Sequence, residues 1–168
     1  MTNAIGFAGF SGSGKTTLIS RLTARFGEQG IRVAVIKHDA HGHYKEVPGT
    51  DSALFAASGA SAVVVISPEE ALIRERERVS LEQMLERLDH RYDLILIEGF
   101  KQGSHDQIAV FRTEEQAEIL SAVPRPPVAC AVGDLPHAES SGGVPVYSID
   151  DIEGLARFIA ERFHLDFT

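Results

Sequence analysis

Residues 9–17, GFSGSGKTT, constrain the fold of this chain more than any other stretch. Gly9, Gly14, Lys15 and Thr16 match G-x-x-x-x-G-K-[ST] in full. Glycines let backbone N–H groups turn inward around a phosphate, and the start of a following helix adds partial positive charge there. Lys15 can then reach the β- and γ-phosphates, and the Thr16 hydroxyl can bind Mg²⁺. Such a loop works only between an incoming strand and an outgoing helix, so the rest of the chain must supply that setting.

It does. AIGFAGF (4–10) reads as a first strand. Residues 15–29 read as a helix, with Leu18, Ile19, Leu22 and Phe26 on one face and Gly30 at its end. Strand-like runs recur at 31–37, 61–66, 92–98, 107–111, 126–132 and 144–148. The run SAVVVI is continuously apolar, which predicts a strand buried on both faces. Between the runs lie a short helix, DSALFAAS, and a segment opened by Ser80 with Gln83 at capping-box spacing. Thr113 and Gln116 repeat that spacing, and Asp150 is expected to cap a final amphipathic helix through Ile152, Leu155, Phe158, Ile159 and Phe163. Strands alternating with helices predict a three-layer α/β fold, a mainly parallel sheet flanked by helices, in a single domain over residues 1–168. Ligands of such sheets bind at the carboxyl ends of the strands.

Composition narrows the function classes. With 43% hydrophobic and 24% charged residues the chain is of globular type. A net charge of −8 argues against non-specific binding to nucleic acid, which demands a basic surface. The single cysteine, Cys130, lies in PVACAV and reads as a buried, reduced thiol. The N-terminus lacks the pattern of a signal peptide, and no run approaches the length of a membrane span. A cytoplasmic location without membrane contact is the expectation.

Other residues join the phosphate loop by position. Glu98 ends the strongest strand run, in LILIEG, where a carboxylate can hold Mg²⁺, its water or the attacking water. His38, Asp39, His41 and His43 cluster in a polar loop after the second strand, at a spacing that matches no standard zinc pattern. That loop is expected beside the phosphate loop, where Lys37, Asp39 or Asp51 can contact phosphate, Mg²⁺ or an anionic partner. IRERERV (73–79) reads as a solvated strand edge or hairpin, with an arginine lid as the alternative. No N-K-x-D motif is present to read guanine. Asp134, in AVGD, is either an acid that accepts the N–H groups of a guanine edge or an ordinary turn residue.

Taken together, GFSGSGKTTL, VIKHDAHG, PGTDS, LILIEGFK and IDDIEGLARFI resemble the molybdopterin-guanine dinucleotide biosynthesis protein B (MobB) family over nearly the whole chain. The resemblance implies a P-loop NTPase domain, usually homodimeric, that binds GTP with at most slow hydrolysis. It implies a supporting role in attaching a guanosine nucleotide to molybdopterin, alongside a MobA-type guanylyltransferase. Mapped onto this chain, it assigns Gly12, Ser13, Gly14, Lys15, Thr16 and Thr17 to the phosphates and Thr16 and Glu98 to Mg²⁺. It places Lys37, His38, Asp51 and Lys101 as polar residues near the site. Any catalysis would fall to Lys15 and Glu98, slowly, since no arginine finger is evident. The alternative is a small-molecule kinase, with Glu98 or Asp39 orienting an acceptor hydroxyl and Arg74, Arg76 or Arg78 as its lid.

Overall fold

The computed structural model describes residues 2–40, 42, 47–135 and 143–168. The chain divides into two units, one running to His38 and resuming at Met84, the other covering residues 39–83.

The first unit is built on six strands: β1 (Ala4–Ala8), β2 (Val33–Lys37), β5 (Leu94–Glu98), β6 (Gln107–Phe111), β7 (Ala129–Val132) and β8 (Val146–Ser148). They lie in the order β2-β5-β1-β6-β7-β8, and every pair is parallel. The register sets Glu98 of β5 beside Phe7 of β1 and Lys37 of β2. β1, β5, β6 and β7 are almost wholly buried, which is why their sequences run apolar without alternation.

Both faces of the sheet are covered. On one, Ile5, Phe7, Leu96, Ile108 and Val110 pack against Leu18, Leu22 and Phe26 of α1 (Lys15–Glu28) and Leu155 and Ile159 of α5 (Ile152–Phe163). On the other, Ala8, Ala109, Phe111, Cys130 and Val132 pack against Ile119 of the short helix α4 (Ile119–Ala122) and against Val123. The two-residue period of a strand sends alternate side chains into these two layers. The buried face of α1 is the stripe read from the sequence. Phe26 is fully buried, so its truncation to alanine costs about 3–5 kcal/mol. At the amino ends of β2 and β5, Asp93 accepts from the Arg32 backbone N–H at 2.8 Å and from its guanidinium at 2.8 and 3.1 Å.

The final helix starts one residue later than the sequence suggests. Asp151, not Asp150, is its N-cap, accepting from the Gly154 N–H at 2.9 Å. Asp150 instead takes the Arg21 guanidinium of α1 at 2.6 Å.

In the second unit, Thr50 caps α2 (Asp51–Ala57) by accepting from the Ala53 N–H at 3.3 Å. A hairpin follows, with β3 (Ala62–Ile66) antiparallel to β4 (Ala71–Glu75). Here the reading of SAVVVI as a doubly buried strand fails: Val64, Val65 and Ile66 are exposed. Among the described residues the run pairs only with β4, in a two-stranded sheet apart from the six-stranded one. The arginine-rich segment begins on β4 as a hairpin strand. The capping box ahead of α3 (Leu81–Leu88) is complete, with the Ser80 N–H on Gln83 Oε1 at 2.9 Å and the Gln83 N–H on Ser80 Oγ at 3.2 Å.

Candidate functional site

The phosphate loop lies between β1 and α1, at the carboxyl edge of the sheet. Its glycines have separate duties. A methyl group at Gly9 would collide with the Val110 carbonyl and Ser13 Oγ, so Gly9 permits the loop to pass against β6. Gly14, the N-cap of α1, has φ 96°, and Gly12 has φ 73°; both are left-handed conformations that favour glycine. The first helical bond of α1 runs from the Leu18 N–H to the Gly14 carbonyl at 3.0 Å. The amides of Lys15, Thr16 and Thr17 precede it, among the orphan donors of a helix start. No acidic residue stands in the first turn to neutralise them. The loop is a ready anion cradle.

Lys15 curls back over the loop, donating to the Phe10 carbonyl at 2.8 Å and to Ser13 Oγ at 3.4 Å; Ser13 itself is fully buried. Burial pulls the Lys15 ammonium below its ordinary pKa; Glu98 opposes the shift, and Lys101 and Lys37 add to it. Thr16 Oγ1 donates to Glu98 Oε1 at 2.7 Å, and Lys37 Nζ stands 3.9 Å from Glu98 Oε2. The hydroxyl and carboxylate that the sequence singled out for Mg²⁺ therefore meet, although 82 positions separate them. Parallel pairing of β1 with β5 brings the two loops together. One hydroxyl and one carboxylate at the rim of an amide cradle are oxygen donors of the kind that would suit Mg²⁺ beside a phosphate.

The segment after β5 turns sharply. Gly99 has φ 91° and Phe100 has φ 51°, a strained value for a residue with a side chain. The turn stacks the Phe100 ring on His38 at 4.2 Å between centroids and sets Lys101 Nζ 5.2 Å from the centre of the Phe10 ring. Lys15, Lys37 and Lys101 thus converge on one mouth with Glu98 the acid among them.

On the other flank, Arg112, Gly133, Asp134, Leu135, Ser148, Ile149 and Asp150 line a pocket of about 460 Å³ at the ends of β6, β7 and β8. Asp134 is on its wall. Arg112 was missed in the sequence, although it directly follows the strand run QIAVF and so sits where ligands of parallel sheets bind. Its backbone N–H donates to Gln116 Oε1 at 2.9 Å. The Gln116 N–H meets Thr113 Oγ1 at 3.2 Å, so the second box forms only its Thr113 half.

Asp51 belongs to the second unit, at the first turn of α2, where its charge suits the helix start. Asp39 also belongs to that unit. His41 and His43 lie outside the described residues. Among the described residues, no cluster of three His, Cys, Asp or Glu side chains is placed to hold a metal ion.

A parallel sheet with a glycine-rich loop, lysine and hydroxyl at its first strand end defines a nucleotide-binding P-loop fold. Within that class the assignment is specific. The family model for molybdopterin guanine dinucleotide synthesis protein B matches residues 4–133. The chain belongs to this MobB family. It is 34% identical over 166 residues to the molybdopterin-guanine dinucleotide biosynthesis adapter protein of Escherichia coli (strain K12), covering 96% of this chain and 93% of that one. It is 30% identical over 146 residues to the probable adapter protein of the same pathway in Bacillus subtilis (strain 168), covering 85% and 83%. A crystal structure of molybdopterin-guanine biosynthesis protein B superposes with a TM-score of 0.73 at 30% identity, over 96% of this chain and 99% of that one. The crystal structure of Bacillus subtilis MobB gives 0.78 at 25% identity, over 95% and 96%. These comparisons support the adapter reading and not the kinase alternative.

Proposed function

We propose that this chain is a GTP-binding adapter of molybdenum cofactor biosynthesis. It assists a MobA-type guanylyltransferase in joining a guanosine nucleotide to molybdopterin, and it works in the cytoplasm. The relatives' role as adapters in molybdopterin-guanine dinucleotide biosynthesis supports the pathway. The observation that supports the site is the Thr16–Glu98 hydrogen bond at 2.7 Å beside Lys15, which brings a hydroxyl, a carboxylate and an ammonium group to one strand edge. Lys15 and the amides of Gly12 to Thr17 would hold the phosphates. Thr16 and Glu98 would hold Mg²⁺, which supplies charge neutralisation at the β- and γ-phosphates when bound. Lys37, His38 and Lys101 would border the γ-phosphate side, and Asp134 would read the base. Turnover would stay slow without the partner, since an added arginine can be worth ~10³–10⁵ in rate.

Titration calorimetry with GTP and with ATP, each with Mg²⁺, tests this. GTP should bind more tightly, Lys15→Ala should abolish binding with the fold intact, and Asp134→Ala should narrow the gap between the nucleotides. Equal binding of ATP and GTP would overturn the guanine assignment.

A homodimer is part of the proposal. An isolated two-stranded hairpin is marginal in water. This one exposes apolar side chains on both faces, Val64, Ile66 and Ile73 on one and Val65 and Leu72 on the other, with Ile66 80% exposed. A second copy would cover that surface and its open strand edges. Sedimentation should give a dimer, and Ile73→Lys should give a folded monomer; a monomeric parent chain would sink this part.

A further inference from the structure

The strand order places two different chemistries on the two flanks of the phosphate loop. On the β5 side stand Glu98, Lys37 and Lys101, suited to metal and terminal phosphate. On the β6-β7-β8 side lies the pocket of about 460 Å³, within the roughly 300–1,000 Å³ of small-molecule sites. A nucleotide held at the loop by its phosphates has its nucleoside left to place, and this pocket opens beside the loop.

Arg112 joins the two regions. A methyl group built on Gly14 would stand 2.8 Å from Arg112 Nη2, 2.9 Å from its Nε and 2.9 Å from Ile149 Cδ1. One built on Gly133 would stand 3.0 Å from Arg112 Cα and 3.1 Å from its Cβ and Cγ. The arginine therefore lies along two bare glycine backbones, its stem on the end of β7 and its guanidinium over the phosphate loop. Gln116 braces both ends, accepting from the Arg112 N–H at 2.9 Å and donating to the Ser11 carbonyl at 3.5 Å. The pocket's acids differ. Asp150 is taken by Arg21 at 2.6 Å, whereas among the described residues no cation pairs with Asp134. Nor, among them, does a carboxylate pair with the Arg112 guanidinium. A planar cation and a carboxylate in the lining of one pocket suit a flat heterocycle, one group for its face and one for its edge.

We propose that Arg112 is a nucleoside-binding residue of this chain: the purine base stacks on its guanidinium, with the base edge toward Asp134. The inference rests on the nucleotide reading above and adds to it the surface that receives the base. Arginine, with its delocalised plane, stacks in a way that lysine does not.

Calorimetry of Arg112→Ala and Arg112→Lys with GTP and with inorganic tripolyphosphate, each with Mg²⁺, tests it. Base stacking of this kind is worth ~1–3 kcal/mol, so Arg112→Ala should weaken GTP on the order of tenfold or more. Arg112→Lys should weaken GTP nearly as much, because the plane is lost while the charge stays. Tripolyphosphate should bind both variants within about twofold of the parent chain. Equal losses for GTP and tripolyphosphate would make Arg112 a phosphate contact and overturn the proposal; so would full rescue by lysine or an unchanged GTP affinity. If the parent chain binds neither probe, the nucleotide reading itself fails and the inference with it. Should Arg112→Ala not fold, the lysine variant alone separates plane from charge.

Discussion

Glu98→Gln keeps the shape of the side chain and removes its charge, so its effects can be worked from the geometry. Thr16 Oγ1 donates to Glu98 Oε1 at 2.7 Å. Hydrogen bonds to charged groups contribute ~1.5–3 kcal/mol and neutral ones ~0.5–1.5, so the amide should cost about 1 kcal/mol. Lys37 is 3.9 Å away with its side chain 64% exposed, and solvent screening limits its share to a few tenths of a kcal/mol. For a chain of this size, 1 kcal/mol corresponds to about 2–4 °C, so the nucleotide-free Tm should fall by about 3–5 °C. The sharper effect lies in the metal. A ligand at a hundredfold its Kd stabilises by ~2.7 kcal/mol, and each tenfold loss of affinity removes ~1.4. Scanning calorimetry of both proteins, with GTP alone and with GTP plus Mg²⁺, separates these parts. In the parent chain Mg²⁺ should add to the GTP shift; in Glu98→Gln that increment should shrink by about 4 °C or vanish. An undiminished increment would refute the assignment of Glu98 to the metal.

Three further variants probe the same structure. Lys15→Met should cut GTP affinity by on the order of 100-fold, since charge-assisted hydrogen bonds to phosphate are lost, with calorimetry as the readout. Because the folded Lys15 pKa lies below 10.5, the unfolded chain binds more protons between the two values. Nucleotide-free stability should therefore gain from this group as pH rises through that window, and the methionine variant should lose that gain in melts at alkaline pH. Gly9→Ala should destabilise the fold by ~1–3 kcal/mol in urea titrations, because its methyl group meets the Val110 carbonyl and Ser13 Oγ. The Asp93 carboxyl is held below its ordinary pKa chiefly by the Arg32 side chain and then by its backbone N–H. Its stabilisation should be present above about pH 4 and lost as pH falls through the folded value, and Asp93→Asn should flatten that acid limb of the Tm curve.

What could be read from the sequence was local or periodic. The Lys15–Gln29 stripe gave the buried face of α1 because a helix repeats every 3.6 residues whatever lies across from it. Ser80 and Gln83 formed their box because three residues suffice to make it. Glu98 was legible as a strand end, and parallel pairing then carried it to Thr16. The failures were non-local. A continuous apolar run such as SAVVVI is the same string whether or not another layer covers it, so its exposure was not legible. Asp150 and Asp151 are adjacent acids of equal capping strength; only Arg21, 129 positions away, claims the first. Arg112 owes its place to Gly14 and Gly133, glycines far from it in sequence whose missing side chains make the room.

The cationic mouth bears on why such a chain would hold nucleotide without consuming it quickly. Burial lowers the Lys15 pKa most, Glu98 opposes it, and Lys101 and Lys37 lower it further. On the proposed reading, a bound polyphosphate would join Glu98 in offsetting the mutual repulsion of the three ammonium groups. That gain accrues to the phosphates of the ground state. Interactions equally strong in ground and transition states tighten binding without raising the rate. Acceleration needs charge aimed at the transition state alone, and on the proposed reading Arg112 is committed to the base at the other flank of the loop. Tight retention with slow turnover is what delivery to a partner enzyme requires.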